Sequence, residues 1–423
     1  MTVVDDRAEA STDEGVSSDR YMIVSTDSHV GPRVKEQLRD YCPKDLLEAY
    51  DEFVAAWEPM RAGTWDPDGP FRGTYPFTDK VRDRTAEITS TAGVYDAAQR
   101  VADMDAEGIA AEVVYHGAMT PDIIPWMISP DMELQAAGIQ IYNRWLADFC
   151  AEAPHRFIGA AHLPMWDIDA CVKEVEFAAD AGLGCINFPA PNRQYTDYND
   201  PAWEPFWAAV TESGLPLTTH GGSGDMPPYS GPAAWALYMS DLFFYSRRAL
   251  HYLVWGGVFE RHPTLKMVFT EQRSEWVPAT LDHLDSIYLS EFHDWKSVIP
   301  RRPSEYFRQN CWVASSFMAR FEAEMRHEIG VDRLMWGSDY PHYEGSYGNT
   351  DACLRATFAG LPVDEVRLLL GENAINCFGL DRDAIRSIAD RIGPFPADVD
   401  RPLDPSEEPE VTGCAFRKLS TWG

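Results

Sequence analysis

Eight short apolar runs, most of them separated by amphipathic stretches, set the strongest limit on how this chain can fold. The runs are Met22–Thr26, Ala111–His116, Phe157–Leu163, Cys185–Pro189, Leu215–His220, Lys266–Glu271, Cys311–Ser315 and Leu334–Asp339. Short apolar runs of roughly four to eight residues, bounded by turn residues, read as strands buried on both faces, as in a parallel sheet. Helical periodicity fills intervals at 132–153, 167–182, 202–214 and 240–262. Gly182 and Gly214 stand just ahead of strands, where a helix ends on a left-handed residue. This alternation predicts a (β/α)8 TIM-like barrel rather than a doubly wound open sheet. The 423 residues are long for one domain, but barrels often use such a length as a single unit.

The barrel is expected over 21–392. Two parts break its rhythm. Residues 30–93 are rich in Trp, Pro and Gly, notably in "AAWEPMRAGTWDPDGPFRGTYPF" (55–77), and read as an insertion over the barrel mouth. Residues 393–423 are Pro- and acid-rich and form an expected C-terminal extension that wraps the surface or joins a neighbouring subunit. Residues 1–20 are acidic, lack the apolar stretch of a signal peptide and read as disordered.

Charge narrows the partners. A formal net charge of −31 repels phosphate backbones and anionic lipid, so nucleic acid and membrane partners are not expected. No apolar run approaches the roughly 20 residues of a membrane-spanning helix. Eight dispersed cysteines without a Cys-x-x-Cys pair predict reduced thiols and a cytoplasmic protein. Aromatic-rich helices and the trailing arm point to a homodimer or higher homo-oligomer.

The polar residues that end the strands carry the chemistry. "STDSHVGP" ends the first run with Asp27 and His29, which alternate in register and so can aim at one object. His220 ends the fifth run and Glu271 the sixth. Asp339 ends the eighth, with His342 just beyond. Barrel chemistry sits at the C-terminal ends of strands. Buried charges of this kind persist when paired or bound to metal. A lone Asp or His before a turn is ordinarily a cap or a hydrogen-bonded loop residue. Recurrence at four strand ends instead predicts a metal centre built from Asp27, His29, His220, Glu271 and Asp339. His116 and His162 point toward the same mouth but read as structural.

At these residues the chain resembles the amidohydrolase superfamily, in its amidohydrolase-2 branch, and is similar to aminocarboxymuconate-semialdehyde decarboxylase. The resemblance spans roughly 21–381 and rests on "STDSHVGP", "YNRWLADFCAEAPHRFIGAAHLP", "DPAWEPFWAAVTESGLPLTTHGG", "FERHPTLKMVFTEQ", "RLMWGSDYPHYEG" and "LGENAINCFGLD". It implies Asp27, His29, His220 and Asp339 as metal ligands. There are two departures. No Lys follows the fourth strand, in "CINFPAPNRQY", so the carbamylated bridge of binuclear members is absent. Glu271 stands where relatives carry His. The carboxylate-rich set favours one or two divalent ions, Zn, Mn or Fe, with the hard oxygen donors leaning toward Mn or Fe.

The resemblance implies hydrolysis or decarboxylation of an apolar small molecule bearing a carbonyl or carboxylate. Asp339 would take a water proton in a hydrolase, while Glu271 or His342 would carry the proton in a decarboxylase. Arg273 is a candidate for a substrate anion, and Trp235, Tyr238 and Phe243 for the apolar wall. Two alternatives stand. One is similarity to the amidohydrolase-like nonheme diiron monooxygenases, with Glu271 as the departure in its favour. The other is a non-catalytic binding protein on the same barrel.

Overall fold

Nine β-segments supply the eight expected strands in a computed structural model that describes residues 19–62, 79–117, 124–127, 129–225, 227, 229–290, 294–409 and 416. The first strand is split into β1 (Val24–Ser25) and β2 (His29–Val30), with Thr26, Asp27 and Ser28 between them. Then come β3 (Ala111–His116), β4 (Phe157–Ala161), β5 (Cys185–Asn187), β6 (Leu217–His220), β7 (Met267–Thr270), β8 (Cys311–Ser316) and β9 (Leu334–Gly337). All pairings are parallel, in the order β1-β3-β4-β5-β6-β7-β8-β9, and β2 also pairs with β3.

The two ends of the sheet meet. The Thr26 amide donates to the Trp336 carbonyl at 3.0 Å and the Asp339 amide to the Asp27 carbonyl at 2.9 Å. Ser28 bridges Tyr340 in parallel register. The result is a nearly closed (β/α)8 barrel. Gly337 permits this approach, because a Cβ there would lie 2.8 Å from Cβ of Asp27.

Strand alternation divides the core into two layers. Val24, Val113, Tyr115, Val268, Trp312, Ala314 and Met335 pack into one cluster inside the barrel. Their neighbours Ile23, Val114, Met267, Phe269, Val313, Leu334 and Trp336 pack outward against the helices. Helices Asn373–Phe378 and Arg382–Ile392 join the inner cluster at the strand starts, where Lys266 Nζ donates to the Cys377 carbonyl at 2.6 Å.

The helices fall near their expected places at Met132–Ala151, Ile168–Asp180 and Glu204–Ser213. Gly182 and Gly214 are left-handed, with φ of 76° and 71°. The stretch expected as one helix at 240–262 differs. A helix runs from Ala234 to Trp255, and a second, Val258–Arg261, follows a break at Gly256–Gly257. Gly257 has φ of 67°, which ends regular α-helix.

The expected insertion contains helices Leu47–Ala62 and Asp79–Thr89, and its centre, 63–78, lies outside the described residues. Arg84 Nη2 donates to the Tyr347 carbonyl at 3.1 Å, and Thr91 Oγ1 lies 2.6 Å from the Tyr340 hydroxyl. These contacts bring the segment to the loop after β9. The described part of the C-terminal extension folds back on its own chain through Arg355 Nη2 and Glu407 Oε2, 2.6 Å apart. Residues 1–18, and Cys414, lie outside the described residues, and the other seven cysteines are buried and form no disulfide among the described residues. No helix among the described residues is long and apolar enough to cross a membrane.

Candidate active site

Strand ends bring the candidate residues together at one mouth of the barrel. Asp27 lies between β1 and β2, His29 opens β2 and His220 closes β6. Glu271 directly follows β7, while Asp339 and His342 lie in the loop after β9. Asp27 and Asp339 are fully buried, and His29, Glu271 and His342 are each at most 9% exposed. Glu271 and Asp339 have positive φ, 52° and 58°. A non-glycine residue in that region is strained, and such strain concentrates at functional sites.

The donors cluster closely. His29 Nε2 lies 3.2 Å from Asp339 Oδ1 and 3.5 Å from Asp27 Oδ1. His220 Nε2 is 3.3 Å from Asp27 Oδ1, and His342 Nδ1 is 2.8 Å from Asp339 Oδ1. Donors bound at about 2.1 Å to one ion sit roughly 3.0–3.5 Å apart, so this spacing matches a shared cation.

Backbone carbonyls fix which imidazole nitrogen faces the centre. His29 Nδ1 donates to the His116 carbonyl at 2.6 Å, which leaves the Nε2 lone pair pointing at the carboxylates. His220 Nδ1 is 3.0 Å from the Gly221 carbonyl, and His342 Nε2 is 3.0 Å from that of Gly117. A histidine whose far nitrogen is held by a carbonyl is oriented as metal ligands are. On Asp27, Ser316 Oγ donates to Oδ2 and leaves Oδ1 facing the histidines.

Several buried atoms in the cluster make no hydrogen bond: His29 Nε2, Asp339 Oδ2 and Glu344 Oε2. Buried polar atoms are almost always satisfied, so a concentration of orphans marks a place for a ligand. The residues therefore fit a divalent cation. Three overlapping donor groups are present: Asp27–His29–His220, His29–Asp339–His342, and Glu271–Asp339–His342–Glu344. Glu344 escaped the sequence reading. It lies two residues past His342 in a loop, with no strand end to draw attention to it.

Electrostatics follow from burial and crowding. Desolvation holds His29 well below its usual range. Burial opposes charge on His220, but Asp27 and Glu271 outweigh it and raise the group to about 9. Burial and the Asp339 charge push Glu271 well above the ordinary carboxyl range, and burial raises Glu344 to about 7. Carboxylates this close cannot all stay ionised without a cation or shared protons.

A cavity of about 320 Å³ opens beside the centre, joined to it by the turn His220–Gly221–Gly222–Ser223. Ile139, Leu163, Met165 and Trp166 give it apolar walls, and His116, His162 and Asn187 give it a polar corner. His116 and His162, expected to be structural, are thus part of the cavity wall.

The expected substrate residues are placed differently. Arg273 is 2% exposed, with Nε 3.4 Å from Glu275 Oε1 and its guanidinium 5.6 Å from the centre of the Phe321 ring, and it does not line the cavity. Phe243 is buried close to Gly221, where an added Cβ would meet its ring at 3.1 Å. Tyr238 is half-buried on the helix Ala234–Trp255, and neither it nor Phe243 lines the cavity. The Trp235 side chain lies outside the described residues.

The family model described as Amidohydrolase matches residues 54–380. The chain belongs to the amidohydrolase family. Asp27 and His29 of this amidohydrolase precede the matched segment. It is 30% identical over 262 residues to gamma-resorcylate decarboxylase of Rhodococcus jostii (strain RHA1), covering 57% of this chain and 76% of the relative. It is 24% identical over 295 residues to 2-amino-3-carboxymuconate-6-semialdehyde decarboxylase of Dictyostelium discoideum, covering 68% and 77%.

Solved structures share the fold. The 5-carboxyvanillate decarboxylase of Sphingomonas paucimobilis aligns with a TM-score of 0.59 at 20% identity, over 85% of this chain and 99% of its own. A dihydroxybenzoic acid decarboxylase from Polaromonas sp. JS666, solved with bound manganese and 2-nitroresorcinol, aligns with a TM-score of 0.59 at 18% identity, over 85% and 97%. These relatives of the amidohydrolase are decarboxylases. The diiron monooxygenase alternative finds no support among them and is withdrawn.

Proposed function

We propose that this amidohydrolase is a metal-dependent decarboxylase acting on a small carboxylated arene or a similarly flat apolar acid. The observation that carries the reading is the His220–Ser223 turn, which joins a buried cluster of metal-competent donors to an apolar cavity. The decarboxylase relatives, two of which act by name on gamma-resorcylate and 2-amino-3-carboxymuconate-6-semialdehyde, agree with it.

Asp27, His29, His220 and Asp339 would hold one divalent ion, for which we propose manganese. The two carboxylates among these four donors suit a hard ion, and the Polaromonas neighbour has manganese bound. Such an ion supplies a fixed positive charge that orients the substrate's carboxylate. Decarboxylation breaks the bond between the ring carbon and the carboxylate, releases CO₂ and places a proton on that carbon. Glu271 is suited to deliver the proton. Its Oε2 lies 3.4 Å from His220 Nδ1, and an added Cβ on cavity-lining Gly221 would sit 3.0 Å from the same oxygen. His342 and Glu344 stand behind it as a reserve of protonatable groups around Asp339.

Release of CO₂ from a panel of hydroxylated benzoates by manganese-loaded protein tests the proposal. Metal-dependent CO₂ release supports it. Hydrolysis of amide or ester substrates with no CO₂ release would replace it with the hydrolase reading, in which Asp339 takes the water proton. Full ligand binding by Asp339→Ala after chelation would favour a non-catalytic protein.

A further inference from the structure

We propose that His116, His162 and Asn187 form a specificity subsite that receives an uncharged hydrogen-bonding substituent of the substrate, such as a phenolic hydroxyl, and excludes a second carboxylate. The inference rests on the decarboxylase reading and deepens it by naming the substrate class.

The three residues come from the ends of three neighbouring strands: His116 closes β3, His162 follows β4 and Asn187 closes β5. All three line the cavity. The corner abuts the donor cluster, since the His116 carbonyl is the group that holds His29 Nδ1 at 2.6 Å. The imidazoles of His116 and His162 lie with centroids 4.1 Å apart, tilted by 53°.

Asn187 Nδ2 lies 3.2 Å from His162 Nε2 and donates to it. The amide oxygen of Asn187 and both ring nitrogens of His116 make no hydrogen bond within the described residues. Acceptors and donors on the cavity wall are thus left for a ligand. A structural histidine pair would be expected to spend these groups on the protein.

The corner is also rigid. Asn143 grips the backbone of His162 from both sides, accepting from its N–H at 2.9 Å and donating to its carbonyl at 2.9 Å. Asn143 is itself tied to Glu174 at 2.8 Å. Preorganised polar groups select a substituent better than mobile ones.

Charge sets the second half of the inference. Among the described residues, no Lys or Arg lines the cavity. A second carboxylate placed at the His116–His162–Asn187 corner, away from the proposed ion, would lose its water with no guanidinium or ammonium among the described residues beside it, which is unfavourable. A hydroxyl carries no such penalty and can both donate and accept. A cavity of this size suits a single ring.

The test uses the manganese-loaded holoenzyme with three acids, 2,6-dihydroxybenzoate, benzoate and isophthalate, and resorcinol as a carboxylate-free inhibitor. The wild type is expected to favour the dihydroxy acid over benzoate by roughly ten- to hundredfold in kcat/KM, and to reject isophthalate. Asn187→Leu and His116→Phe are expected to shrink that preference to a few-fold, acting through KM for the dihydroxy acid. Both should weaken resorcinol inhibition in parallel, and Asn187→Ser should restore part of it. Thermal melts identify any variant that fails to fold, and the two positions are tested independently. If the wild type releases CO₂ from none of the acids, the decarboxylase reading fails. If it releases CO₂ but the folded variants keep the full preference and inhibition, or isophthalate is processed as well as the dihydroxy acid, the subsite is overturned.

Discussion

Ser316, the last residue of β8, donates its hydroxyl to Oδ2 of Asp27, so that Oδ1 faces His220 Nε2 at 3.3 Å. A serine from another strand therefore decides which carboxylate oxygen is presented to the centre. Partners behind a metal ligand typically contribute about 10–100-fold in affinity. Ser316→Ala is predicted to weaken manganese binding by that factor. A stability loss of about 1–3 kcal/mol should accompany it, because a buried oxygen is left unpaired. Metal titration and thermal melts of the variant check both, and an unchanged metal affinity would mean that Asp27 is oriented by other contacts.

Chelation should separate the fold from the chemistry. Metal-free protein is expected to keep its secondary structure, lose turnover and regain it with added Mn²⁺. At a hundredfold excess over Kd, the ion should stabilise the fold by about 2.7 kcal/mol. Elemental analysis should give one ion per chain. Two ions per chain would instead make Glu271, His342 and Glu344 ligands of a second cation.

Glu271→Gln preserves shape and removes an exchangeable carboxyl proton. As the proton donor, Glu271 should contribute about 10²–10⁴ to kcat, and the variant should lose that much while binding metal like the wild type. Loss of metal together with activity would reassign Glu271 to coordination.

Arg100 pairs with Glu112 inside the protein, Nε to Oε1 at 2.5 Å, and its Nη1 donates to the His29 carbonyl at 3.0 Å. Arg100→Met would strand a buried carboxylate. The expected cost is about 3–5 kcal/mol, and the paired change Arg100→Met with Glu112→Met should recover much of it. Denaturant unfolding of the single and double variants measures the difference.

The strands and the first five candidate ligands were legible because each polar residue closes an apolar run, a pattern that barrel geometry turns into proximity. Glu344 was not, since it sits inside a loop whose path depends on how β9 meets β1. The substrate side was harder to read. Which polar residues share a cavity depends on the lateral order of β3, β4 and β5, and nothing local to Asn187 announces it. Arg273 misled for a local reason. It follows Glu271 by two residues, but both are left-handed, with φ of 60° and 52°, and the arginine ends beside Phe321 instead of in the cavity. The aromatic helix misled because Phe243 packs behind the Gly221 turn and not in the cavity wall.

The closing seam between β1 and β9 has a consequence for biosynthesis. Asp27 and His29 emerge from the ribosome early, but Asp339 follows them by more than 300 residues. Domains fold as units once their parts are available. Until β9 has been made and docked, His29 lacks Asp339, whose Oδ1 faces its Nε2 at 3.2 Å in the finished fold. On the proposed ligand set, a chain lacking 334–342 keeps the Asp27–His29–His220 group but loses Asp339, and is expected to hold the ion more weakly than the whole chain.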